Sequence, residues 1–109
     1  MKVLKFGGTS VGSAERIRSI ANLLPNNEPC VVVLSAMAGT TNSLIDITND
    51  AISGKMLMAI EKTKKLEDKY ISTIEKLYET KIYRNRSEEF VSEIFQQIIR
   101  KFIDGFTDK

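Results

Sequence analysis

The sequence predicts an α/β chain: a βαβα unit with parallel strands over residues 1–54, followed over residues 55–109 by long amphipathic helices. Two short apolar runs, Met1 to Phe6 and Val31 to Leu34, each lead into a loop of small residues and are separated by a segment with helical spacing. Strands joined through a helix are nearly always parallel with a right-handed crossover, so both runs should end on one edge of the sheet. Charge is the third observation: residues 1–54 hold 8 charged side chains and residues 55–109 hold 22, which marks a change from strand-and-loop material to solvated helix near Gly54.

Met1 to Phe6 reads as a strand that ends at Gly7-Gly8. Ser13 then caps a helix carrying Ile17, Ile20, Ala21 and Leu24 at three- and four-residue spacing, closed by Pro25 and Asn26-Asn27. The run from Val31 to Leu34 is β-branched and apolar throughout, as expected of a strand covered on both faces. Cys30 before it reads as a small core residue, and as the single cysteine it can form no intrachain disulfide. Ser35 to Thr41 is a loop of small residues, after which Thr41 or Asn42 caps a helix carrying Leu44, Ile45, Ile47, Thr48, Ala51 and Ile52. The two loops should face one crevice, where open α/β sheets bind ligands.

Beyond Gly54 the spacing predicts a helix of about 25 residues carrying Leu57, Ile60, Leu66, Tyr70, Ile71, Ile74, Leu77 and Tyr78. Arg84-Asn85-Arg86 reads as a polar break, with Ser87 opening another helix. That helix carries two apolar ladders, Phe90-Ile94-Ile98-Phe102 and Val91-Phe95-Ile99-Ile103. Together they make a face too wide to leave in water. A two-stranded parallel sheet is a meagre core, and the tail from Gly105 has no ending signal beyond that glycine. The expectation is a piece of a longer polypeptide.

At 109 residues, 42% hydrophobic and 28% charged, the composition is that of one small globular domain. A net charge of +2, with basic and acidic residues interleaved, calls for neither nucleic acid nor an acidic membrane as partner. No apolar run approaches the roughly 20 residues of a membrane helix, and a cytoplasmic location is expected. The chain has no histidine, which removes histidine general bases, serine-histidine triads and nearly every zinc site. Chemistry here must work by positioning and electrostatics.

Lys5-Phe6-Gly7-Gly8-Thr9-Ser10-Val11-Gly12-Ser13 places a lysine at a strand end, then glycines, hydroxyls and a helix start, each suited to a phosphate. Glycines let the backbone approach an anion, the helix adds its positive end, and Lys5, Thr9 and Ser10 add charge and donors. The bland alternative is a tight turn with a solvated lysine. The loop misses G-x-x-x-x-G-K-[ST], because Ser13 stands where the lysine belongs, and it also fails G-x-G-x-x-G. The second loop offers Ser35, Thr40, Thr41 and Asn42 for a small carboxylate or phosphate; its alternative is plain helix capping.

Lys5-Phe6-Gly7-Gly8-Thr9-Ser10-Val11-Gly12 at the start of a chain resembles the signature of the aspartate kinases. Val32-Val33-Leu34-Ser35-Ala36-Met37-Ala38-Gly39-Thr40-Thr41-Asn42 is similar to that family's strand-plus-loop segment, and the helices from Met56 onward resemble its helical insertion. The resemblance implies an amino-acid-kinase fold and transfer of the ATP γ-phosphoryl group, with Mg²⁺, to the side-chain carboxylate of L-aspartate. The product would be 4-phospho-L-aspartate, on the way to lysine, threonine and methionine. It implies a catalytic role for Lys5, phosphate binding by Lys5, Gly7, Gly8, Thr9 and Ser10, and substrate binding by Ser35 and Thr41. The parent enzyme is expected to be a homo-oligomer. The family's further elements, a pocket glutamate, an arginine- and glycine-rich segment, the adenine region and regulatory domains, have no match before Lys109, so no turnover is expected of these 109 residues. The rival readings are a helical interaction module built on the double ladder, and a glutamate or acetylglutamate kinase.

Overall fold

The computed structural model describes residues 1–107, with side chains through Gly105. It divides into two compact units that part between Thr41 and Asn42, where composition alone suggests one small domain that changes character near Gly54. No helix among the described residues is long and apolar enough to cross a membrane.

The first unit holds β1 (Lys2–Phe6), α1 (Ala14–Leu23) and β2 (Cys30–Leu34). The strands pair in parallel, with Lys5 opposite Val33 and Phe6 opposite Leu34. Side chains alternate along a strand, so Leu4, Phe6 and Val32 share one face and Val3, Lys5, Val31 and Val33 the other. Leu4, Phe6 and Val32 of the first face are half-buried, whereas Leu34 at its end is exposed, and Phe6 lines a cleft together with Ile20 and Leu23 of α1. The second is exposed, with Val3 at 67% and Val33 at 45%. Coverage on both faces, expected from the apolar run, is therefore not found: the crossover helix supplies one layer to a two-stranded sheet. Cys30 is likewise half-buried instead of buried.

Ser13 caps α1 as its spacing predicts, its Oγ accepting from the Arg16 N–H at 3.2 Å. Ala14 and Ile20 are buried and Ile17 and Leu24 half-buried, while Ala21 faces water.

The second unit is helical: α2 (Thr40–Ile52), which begins two residues before the boundary, α3 (Met56–Leu77) and α4 (Lys81–Thr107). Its core joins Ile47 and Ala51 of α2, Ala59 and Leu66 of α3, and Phe95 of α4, with Tyr70, Val91, Ile98 and Phe102 packed around them. Thr63 is fully buried because its hydroxyl donates to the Ala59 carbonyl at 2.7 Å. Between α2 and α3 the Gly54 N–H donates to the Ala51 carbonyl and the Lys55 N–H to that of Asp50. This paired closure needs a left-handed residue, and Gly54 has φ +82°.

Three sequence expectations change here. Residues 84–86 do not break the chain: α4 is already helical from Lys81, and the interruption falls at Tyr78–Thr80. Arginine is a good helix former, and Arg84 closes the turn from inside the helix, donating through Nε at 3.2 Å and Nη2 at 2.9 Å to the Tyr78 carbonyl. Ser87 is consequently an interior residue. At the other end Gly105 does not stop the helix, which runs through Thr107; Asp108 and Lys109 lie outside the described residues. The two ladders also diverge, since Phe95 is 6% exposed and Phe90 is 67% exposed. The inward face follows Val91, Phe95, Ile98 and Phe102, drawing from both ladders as a 3.6-residue period requires.

Candidate functional site

Both loops belong to the first unit and leave the sheet at the same edge, as parallel strands require. The Ser35 N–H extends the ladder by donating to the Phe6 carbonyl at 3.0 Å, which fixes the start of the second loop against the start of the first. Gly8 is where they meet: a Cβ there would stand 3.3 Å from the Ala36 oxygen and 3.5 Å from the Ala38 Cα. Glycine is needed for this close approach, and its φ is not in the left-handed region.

The first loop is wound on itself. The Gly7 carbonyl accepts from Ser10 N–H at 3.0 Å and Val11 N–H at 3.2 Å, and the Thr9 carbonyl from Gly12 N–H at 3.3 Å. Buried Val11 anchors the turn. The amides of Ser10, Val11 and Gly12 are thus spent within the loop. Those of Gly7, Gly8 and Thr9 donate to no acceptor among the described residues. These three consecutive N–H groups, on exposed or half-buried backbone, can accept an anion without breaking an existing bond. Ser10 therefore has only its exposed hydroxyl to offer.

Lys5 is exposed and makes no ion pair among the described residues. It projects from the open face of β1 with its ammonium uncommitted. Ser35 is exposed, and its hydroxyl donates to the Ala36 carbonyl at 2.9 Å, the carbonyl that approaches Gly8. Thr41 does not cap α2, because the helix begins at Thr40: Gly39 turns the chain with φ +85° and the Thr40 N–H donates to the Met37 carbonyl at 3.1 Å. Thr40 and Met37 are buried. Thr41 stands exposed in the first turn of the helix, where the backbone N–H groups lack intrahelical partners. The structure brings Gly8, Ser35 and Ala36 together; Lys5 and Thr41 are joined to that group by the backbone and not by direct hydrogen bonds.

Four further residues contribute to which sequence alone assigned no individual role. Ala36 and Ala38 form the surface against which Gly8 rests. Gly12 lets the loop fold down, since a Cβ there would meet the Thr9 oxygen at 3.2 Å and the Gly8 oxygen at 3.3 Å. Arg16 donates from Nη1 to the Thr9 carbonyl at 2.8 Å and, with Thr9, Ser10, Ser19 and three apolar residues, lines a cleft of about 290 Å³. A signal for Arg16 existed. A cation in the first turn of a helix opposes its dipole by about 0.3–1 kcal/mol, so its presence there asks for a compensating partner.

The described residues include no group of three acidic or cysteine side chains able to hold a metal ion.

Residues 1–102 match the model of the amino acid kinase family. An "Aspartate kinase" of Pseudomonas fluorescens (strain SBW25) is 55% identical over 56 residues, which is 48% of this chain and 13% of that protein. "Aspartokinase 1, chloroplastic" of Arabidopsis thaliana is 41% identical over 80 residues, 69% of this chain and 14% of the relative. "Aspartokinase" of Bacillus sp. (strain MGA3) is 53% identical over 49 residues, 41% of this chain and 12% of the relative. The matched segment spans less than a sixth of each of these curated relatives.

Proposed function

Because this chain belongs to the amino acid kinase family, we propose that it carries the phosphate-binding half of an aspartate kinase site, in which ATP phosphorylates the side-chain carboxylate of L-aspartate. The observation that carries the reading is the contact at Gly8. It sets the loop with three uncommitted amides beside the Ser35–Thr41 loop, so that a phosphate and a small carboxylate could lie in one crevice.

The chemistry suits a chain without histidine. A carboxylate with a pKa near 3.9 is already anionic at neutral pH, so no general base is needed. One of its oxygens attacks the γ-phosphorus, the bond from that phosphorus to the β,γ-bridging oxygen breaks, and ADP leaves with the electron pair. Positive charge and oriented donors must hold two anions together while charge spreads over the transferring group. Lys5 supplies the point charge, the Gly7, Gly8 and Thr9 amides the oriented dipoles, and the Thr9 and Ser10 hydroxyls further donors. Ser35 and Thr41 face the amino-acid substrate. The metal enters with the nucleotide as Mg·ATP, offsetting charge on its phosphates. With this reading go a cytoplasmic location and a homo-oligomeric enzyme.

The test is calorimetric titration of the chain with Mg·ATP and then L-aspartate, repeated on Lys5→Ala and Thr41→Ala. The expected result is Mg·ATP binding weakened by Lys5→Ala and aspartate binding weakened by Thr41→Ala, without turnover. Binding untouched by either substitution removes the assigned roles, and preference for L-glutamate or N-acetylglutamate over L-aspartate removes the substrate.

A helical interaction module is the second reading: Phe95 of the double ladder lies inside the helical core, but Phe90, Ile94 and Ile103 stay exposed, and a mass by light scattering that falls on dilution would support it.

A further inference from the structure

Arg16 is the third residue of α1, three beyond the cap Ser13, where an acid would complete a capping box and a cation meets the positive end of the helix. Its backbone is tied to the cap, and its side chain reaches back seven residues to the Thr9 carbonyl at 2.8 Å. That carbonyl also accepts from the Gly12 N–H at 3.3 Å, an approach a side chain at position 12 would obstruct. Two donors on α1 and its lead-in thus converge on one oxygen. The other end of the same peptide is fixed as well, by the Ser10 N–H donating to the Gly7 carbonyl.

The direction of this carbonyl matters for an anion. A peptide presents N–H on one side and C=O on the other, and a carbonyl turned toward a phosphate sets partial negative charge against it. A loop rich in glycine has little steric resistance to such a turn. A charged donor is the stronger kind of restraint.

We infer that Arg16 is a positioning residue of the phosphate loop: by holding the Thr9 carbonyl back against α1, it keeps the Gly8 and Thr9 amides free for an anion. It acts through the Thr9–Ser10 peptide and not by touching the anion. The inference rests on the kinase reading only in taking that anion to be the phosphates of Mg·ATP.

The test compares the full 109-residue chain with Arg16→Met, which keeps the stem and removes every donor, and Arg16→Lys, which restores one. Amide hydrogen exchange at Ser10 and Val11 is read by NMR, and Mg·ATP affinity by calorimetry. We expect exchange about tenfold faster and affinity about tenfold weaker in Arg16→Met, with Arg16→Lys in between, since a charged hydrogen bond is worth at least that factor. Unchanged exchange overturns the inference, and so does faster exchange with undiminished Mg·ATP affinity. If the unsubstituted chain takes up no Mg·ATP, the half-site does not bind by itself and the family membership stands, while the exchange series still decides for or against the restraint. Should Arg16→Met lose its helical circular dichroism, Arg16→Leu, which also has no donor, replaces it and is read the same way.

Discussion

Gly7 and Gly8 are neighbours in sequence with opposite structural demands. A Cβ on Gly7 would meet nothing within 4 Å, whereas one on Gly8 would press on backbone atoms of Ala36 and Ala38, which cannot swing aside as a side chain can. Gly8→Ala should therefore destabilise the first unit by about 1–3 kcal/mol, as overpacking does. Gly7→Ala, at a φ that alanine tolerates, should be neutral or stabilising by up to about 1 kcal/mol through the unfolded chain. Urea unfolding checks both. Mg·ATP titration adds the functional contrast: if the loop approaches phosphate closely, Gly7→Ala weakens binding while leaving stability intact. Equal destabilisation by the two alanines would mean that the loops do not meet at Gly8. The same residues show how far sequence carried the site. Lys5, the glycines and Thr41 could be singled out because their residue types and spacing are local features, and their roles at the site belong to the proposed function. Arg16 was legible only as a cation at the unfavourable end of a helix; that its partner is the Thr9 carbonyl, seven residues back, was not. Ser10 was legible only in part, since nothing in its identity reveals that its amide is spent on Gly7.

Helix α4 carries a similar contrast along its length. Phe95 packs in the core with its ring 5.8 Å from that of Tyr70, and Phe90 is exposed. Phe95→Ala should cost about 3–5 kcal/mol. Phe90→Ala should change stability by no more than about 0.5 kcal/mol. Thermal unfolding of the two variants decides which rows face inward; a large cost at Phe90 would reverse the assignment. Between α2 and α3, the Lys62 ammonium lies 2.8 Å from Asp46 Oδ2 and 2.6 Å from Asp50 Oδ2. Asp50 Oδ2 is enclosed and has no other donor among the described residues, so Lys62 is its compensation. Hydrogen bonding first to Asp46 and then to Asp50 raises the Lys62 pKa above its ordinary 10.5. A raised lysine pKa means stabilisation that is complete below 10.5 and lost as pH climbs through the higher folded value. Stability should therefore fall more steeply above pH 10.5 in the natural chain than in Lys62→Met, the two curves running parallel below that; equal slopes above pH 10.5 would remove the pairing. Sequence located these helices by their apolar period. It misplaced the start of α4 because Arg84-Asn85-Arg86 is polar without being helix-breaking, and the tertiary bond from Arg84 to Tyr78 is invisible in a linear reading.

On the scale of the whole chain, the two units differ in how much apolar surface shields their hydrogen bonds. The helical unit buries Ile47, Ala51, Ala59, Leu66 and Phe95 in one contiguous cluster. Among the described residues the strands pair only with each other, keep Val3, Val31 and Val33 exposed, and form a sheet smaller than those that are stable alone. Protection against exchange follows local stability, which ranges from near zero to the global value within one protein. Amides at the centre of α3, around Thr63 and Leu66, should exchange slowest. Those of β1 and β2 should exchange faster than these by orders of magnitude, including the Ser35 amide that ties the two loops. Native-state exchange by mass spectrometry checks this on the intact chain. Saturating Mg·ATP adds a second arm: a ligand that binds only the ordered loop stabilises it by mass action, so protection should rise over residues 7–12 and 30–41 and stay unchanged in α3. Strands protected as well as α3 without ligand would show the sheet to be as firmly held as the helical core, and the site would then be preformed instead of ordered by the phosphate it receives.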